Sequence, residues 1–233
     1  MAKLTKKQIK EHEECWSLLN KGNLTHEEKL FVLEKFREDG ELINSKFGAF
    51  FTPFELAIDL ASHLEFEMDR PIKVLDLCAG IGCLSYAVSL FGNAEITCVE
   101  LNEPYYKAGK LLNPHFNWIN GDALDDELIE GFGKFDYCIS NPPFGRINGV
   151  TNFEYEIIKI GSKTADNGVY IIPQTSAPFE YSGNKESKWL NDCKSAKFTK
   201  DTGVKLNFGL GVNTEVYKNQ WKGTSVLCEI VTV

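Results

Sequence analysis

The chain has 233 residues, 43% of them apolar, a net charge of -8 and seven cysteines. That size fits one globular domain with a small appendage. No apolar run approaches membrane-spanning length and none stands behind the lysines of residues 1–10, so neither a membrane span nor a secretory leader is expected, and a soluble, cytoplasmic protein is. The cysteines include no Cys-x2-Cys pair, which points to buried reduced thiols and away from a disulfide frame or a metal site.

Residues 4–20 and 25–39 have apolar residues at helical spacing, with Thr25 and Glu28 in a capping-box pattern and Gly22 and Gly40 as stops. Phe50-Phe51-Thr52-Pro53 then precedes a helix from about Phe54 to Leu64, with Thr52 as its expected cap. Ile72 to Leu77 reads as a buried strand. It runs through Asp76 into the turn Cys78-Ala79-Gly80-Ile81-Gly82 and a helix from Cys83 to about Phe91. Strand, glycine turn and helix let a ligand approach backbone amides. Ala94 to Val99 is a second strand ending in Glu100, placed to take both hydroxyls of a ribose.

Asn102 and Pro104 open a helix over 104–112, and 117–120 is a short strand closed by Gly121-Asp122. Asp122 can accept from the amino group of an adenine. Asp125 to Glu127 cap a short helix to about Glu130. A fourth strand, Phe135 to Ile139, ends in Ser140-Asn141-Pro142-Pro143-Phe144. The two prolines fix φ and remove two donors, leaving a stiff ledge. Asn141 and the Pro142 carbonyl can accept the two N–H bonds of a planar group's NH2, and Phe144 can stack on its ring.

A helix over 153–164, a strand over 168–173, a polar loop-rich stretch over 174–200 and two strands near 204–212 and 226–233 complete the pattern. Charge is uneven along it. Residues 1–145 carry 14 Lys+Arg against 24 Asp+Glu, and residues 146–233 carry 11 against 9. An acidic chain is not expected to grip nucleic acid over its whole surface, so the lysines of 185–205 are its only backbone-facing candidates; an ordinary solvated face is the plain alternative. Four successive strands thus end in Asp76/Gly80, Glu100, Asp122 and Asn141. In an open parallel sheet such ends line one crevice.

This order of Phe-Phe-Thr-Pro, Asp-x-Cys-Ala-Gly-x-Gly, Glu, Gly-Asp and Asn-Pro-Pro-Phe resembles class I S-adenosylmethionine-dependent methyltransferases. Within them it looks most like the adenine-N6 DNA methyltransferases of the gamma motif order. The resemblance covers roughly residues 46–173, with an echo in 223–233. It implies an α/β, Rossmann-like, doubly wound and mostly parallel seven-stranded sheet. Residues 1–45 would form an N-terminal helical extension and residues 46–233 the methyltransferase domain. It implies S-adenosylmethionine as cofactor, with Thr52, Asp76, Ala79 and Gly80 at its methionine end, Glu100 on the ribose and Asp122 on the adenine. Asn141, Pro142 and Phe144 would be the catalytic residues, with Asn141 also beside the cofactor, and no metal is implied. The expected partner is nucleic acid, DNA ahead of RNA.

Gamma enzymes usually carry a large C-terminal target-recognition domain, whereas only about 60 residues follow Pro173. Little or short sequence specificity, a partner specificity subunit or an RNA target would each fit. The rival readings are an RNA adenine or guanine amine or a glutamine amide of a protein as methyl acceptor, a catalytically silent binding module, and a nicotinamide-binding dehydrogenase. The last lacks its third glycine, because Ser85 stands there.

Overall fold

A computed structural model describes residues 4–37, 50–147, 149–184, 186–222 and 225–233. Its helices are α1 (Lys6–Lys21), α2 (His26–Lys35), α3 (Phe54–Ala61), α4 (Cys83–Phe91), α5 (Glu103–Leu112), α6 (Asp126–Glu130), α7 (Phe153–Thr164) and α8 (Lys194–Thr202). The strands are β1 (Ile72–Leu77), β2 (Ala94–Glu100), β3 (Asn117–Asn120), β4 (Phe135–Ser140), β5 (Ala165–Pro173), β6 (Phe179–Glu180), β7 (Lys188–Trp189) and β8 (Cys228–Thr232). The expected ends of the second helix and its stop at Gly40 fall partly outside the described residues, as does Lys46 to Ala49.

The main sheet runs β3-β2-β1-β4-β5-β8, parallel except for β8. Side chains alternate across it, as a strand's period of two requires. In β1, Ile72 and Val74 join the core shared with α1 to α5, while Leu75 and Leu77 join the core shared with α7 and α8. Helices therefore cover both faces, which is the doubly wound arrangement. The first core also takes in Cys15, Leu19, Val32, Leu33 and Phe36 of the N-terminal pair. Both helices of that pair carry complete capping boxes, Thr5 with Gln8 and Thr25 with Glu28.

Among the described residues this sheet has six strands, not the expected seven. The alternating stretch 204–212 forms only one bridge to β8, in which Asn207 and Thr232 exchange bonds of 2.8 and 3.1 Å. Gly209 and Gly211 sit at φ +63° and +70°, which turns the chain away after that bridge and leaves Leu210 66% exposed. Alternation alone cannot show that two glycines interrupt the ladder. The stretch expected as loop, 174–200, instead holds the β6–β7 ribbon and α8.

Candidate active site

Sheet order reverses at β1, so β2 and β4 flank it and a crevice opens at their carboxyl ends. Register sets what meets there. Asp76 of β1 pairs with Cys98 and Ile139, so Glu100 and Asn141 each lie two residues further along their strands, level with the turn that follows β1. Glu100 in turn pairs with Asn120, and Asn120 Nδ2 donates to the carbonyls of Glu100 (2.8 Å) and Leu101 (3.1 Å), tying the end of β3 to β2.

A cavity of about 260 Å³ fills this crevice. Its wall includes Thr52, Asp76, Ala79, Gly80, Glu100, Asp122 and Asn141, so the structure brings all seven residues expected around the cofactor to one place. The turn is shaped by φ. Gly80 and Gly82 adopt +58° and +84°, and Cys78 is held at +61°, a conformation that costs a non-glycine residue energy. A side chain at Gly80 would press against the Phe51 ring at 3.2 Å.

Asp76 is fully buried. Ser85 Oγ of α4 donates to its Oδ2 at 2.6 Å, and Oδ1 is buried with no partner among the described residues. Burial pushes its carboxyl up to about 7 against the pull of Ser85. Glu100 is likewise pushed up to about 7 by burial, opposed by the backbone N–H groups of Asn102 and Gly80, which donate to Oε1 (2.7 Å) and Oε2 (2.8 Å). A carboxylate oxygen has two lone pairs, so Glu100 keeps capacity for two hydroxyls. Asp122 Oδ1 accepts from Leu124 N at 2.9 Å, which leaves Oδ2 as an acceptor.

Asn141 is oriented by its nitrogen. Nδ2 donates to the Phe50 carbonyl and to Thr52 Oγ1, both at 3.0 Å. A carbonyl can only accept, so the amide cannot be reversed. Oδ1 is thereby left buried and without a partner among the described residues. Thr52 was expected to cap α3. Pro53 holds that position with no side-chain cap bond, and the Thr52 hydroxyl is spent on Asn141 instead. Cys83 Sγ fixes the same residue by donating to the Thr52 carbonyl at 3.3 Å.

The other two ledge residues lie off the cavity wall. Pro142 is buried, Phe144 is half-buried against the α1–α5 core, and Pro143 lines the cavity in their place. Sequence reasoning did not single out Phe51, Tyr105, Leu101, Ile147, Val150 or Phe153, which supply the apolar wall. Phe51 stood in the Phe-Phe-Thr-Pro stretch, and its ring meets Tyr105 edge-on at 4.9 Å. Glu154 carried no signal at all. It is buried and accepts from Gly145 N (2.9 Å) and Ser176 Oγ (2.7 Å), pinning the loop that follows the ledge.

Residues 57–168 match the model of the Methyltransferase small domain. A type II methyltransferase, M.BsuBI, from Bacillus subtilis is 27% identical over 146 residues, 52% of this chain and 29% of that protein. A release factor glutamine methyltransferase from Mycoplasma mycoides is 30% identical over 156 residues, 63% of this chain and 52% of that protein. The chain thus spans about half or less of the length of these curated relatives. A solved structure of a class I S-adenosylmethionine-dependent methyltransferase from Listeria monocytogenes, described as putative, superposes with a TM-score of 0.62 at 16% identity. It covers 92% of this chain and 69% of that one, a likeness of fold. Two buried carboxylates with acceptor capacity to spare and a glycine turn open to a ligand fit such a cofactor. The matched residues, just under half of the chain, and the fold are those of class I S-adenosylmethionine-dependent methyltransferases, and they imply S-adenosylmethionine as cofactor.

Proposed function

We propose that the chain methylates an exocyclic amine, adenine N6 in nucleic acid, with DNA ahead of RNA and little or short sequence specificity. The observation that carries this reading is the Asn141 amide, locked through its nitrogen so that a buried oxygen with no partner is left to accept. When bound, the cofactor supplies an electrophilic methyl on a sulfonium. Thr52, Asp76, Ala79 and Gly80 would hold its methionine end, Glu100 its ribose and Asp122 its adenine.

The chain's own task is to present the amine. An aromatic NH2 is a poor nucleophile, because its lone pair is delocalised into the ring. Accepting both N–H bonds, at Asn141 Oδ1 and at the Pro142 carbonyl once the ledge turns it toward the cavity, would draw the nitrogen toward tetrahedral geometry and free the lone pair. No strong base is needed at attack, and positioning supplies much of the rate. A base in a duplex must first leave the stack, at about a few kcal/mol. Stacking by Phe144 asks that ring to turn from the core toward the cavity.

A glutamine carboxamide presents a similar planar NH2, and a relative named for glutamine methylation favours that as the second reading. Labelled cofactor, offered separately with DNA, RNA and glutamine-bearing protein, decides between them by mass spectrometry. N6-methyladenosine, in its deoxy or ribo form, is expected. Methylglutamine without a modified nucleoside would replace the first reading with the second.

A further inference from the structure

A second hollow, of about 560 Å³, lies between α7 and α8. Lys159 and Lys163 stand four apart on α7, and Lys194 and Lys197 three apart on α8, so each helix presents two lysines on one face. All four line the hollow. Tyr155 and Phe198, stacked at 4.7 Å and 12° in the same wall, hold the two helices together. Tyr155 is fixed in turn by donating to the Ser176 carbonyl at 2.7 Å.

Against the four lysines the wall carries two acids among the described residues, Glu156 and Asp201. Glu156 is taken by Lys159 at 3.3 Å. Lys163, Lys194 and Lys197 make no ion pair among the described residues. Three lysines without an ion pair against the one remaining acid, Asp201, leave a local positive excess in a chain of net charge -8, and that excess favours an anion.

The groove also adjoins the cavity. Thr151 and Asn152 line the groove, and their neighbours Val150 and Phe153 line the cavity that holds Asn141. We propose that the α7–α8 groove seats the phosphodiester backbone of a nucleic-acid substrate, so that a base displaced where α7 begins reaches Asn141. This rests on the nucleic-acid reading given above. Lysines act as point charges, without the bidentate fork of arginine, so the contact would position the strand and read no sequence.

The test uses the full chain and short fluorescein-labelled DNA and RNA oligonucleotides, with anisotropy followed against salt. Lys163→Gln, Lys194→Gln and Lys197→Gln together should lower the slope of log Kd against log salt by about two to three, at about 0.7–0.9 per lost phosphate contact. Affinity should fall about tenfold or more at low salt, while the Kd for S-adenosylmethionine, read by calorimetry, stays as in the wild type. The three Lys→Arg changes should restore binding. If the triple variant loses its cofactor affinity, the single Lys→Gln changes carry the test, each with a slope smaller by just under one.

Oligonucleotide methylation by the wild type, with slope and affinity unchanged in the variants, overturns the groove and leaves the proposed function standing. A wild type that neither binds nor methylates oligonucleotides overturns both. So does a wild type that methylates a glutamine peptide whose KM rises in the triple variant while oligonucleotides stay inert.

Discussion

At Asn141 the amide is held by its nitrogen, and in the proposed reaction its unpartnered oxygen accepts from the amine. Asn141→Ala should lower methyl transfer by at least about 10²–10³-fold, by analogy with removing one oriented polar group from a transition-state site. Cofactor affinity should change little. Thr52→Val deletes one of the two acceptors that orient the amide and should give a smaller loss. Full activity in Asn141→Ala, measured by methyl incorporation, would remove that residue from the chemistry. The motif made Asn141 legible in the sequence. The engagement of the Thr52 hydroxyl was not, because it depends on two stretches 89 residues apart meeting in space.

At the scale of elements, the N-terminal helical pair is latched to the cavity wall. Lys222 Nζ donates to the Leu33 and Phe36 carbonyls at 2.9 and 2.7 Å, ending α2, and lies 5.4 Å from the centre of the Phe51 ring. Phe36 packs on Phe51 at 6.0 Å, and Phe51 lines the cavity. Lys222→Ala leaves buried carbonyls short of a donor and should cost about 1–3 kcal/mol, lowering Tm by several degrees. Cofactor affinity should weaken a few-fold as Phe51 loosens. An unmoved Tm in a thermal melt would show that the latch bears no load. Most helices and parallel strands could be placed from periodicity and caps. Helix α8 could not, because of its nine residues only Ser195 and Phe198 are buried, too few to print a stripe.

For the whole molecule, burial of Asp76 and Glu100 couples folding and binding to pH. Below the ordinary carboxylate range both folded and unfolded chains hold these protons. Between that range and about 7 the folded chain keeps protons that the unfolded chain has released, so this contribution to stability falls as pH rises through the window and levels off above it. A cationic, hydroxyl-donating cofactor favours the ionised carboxylates. Its affinity should therefore rise with pH across the same window, by up to about tenfold per unit for each proton released. Calorimetry in two buffers of different ionisation heat measures that release, and an affinity unchanged between about pH 5 and about pH 8 contradicts it.

Local pattern alone determined the strand–turn–helix order and the polar residues that close each strand, because periodicity, caps and turn glycines act within a few neighbours. It also led to a family resemblance that the matched residues bear out at the level of a class I methyltransferase domain. Only the tertiary structure decided that the described residues form a main sheet of six strands, that Phe144 packs against the core and that lysines of α7 and α8 share one groove. Each of these turns on where distant segments pack against one another, and no window along the chain contains both partners.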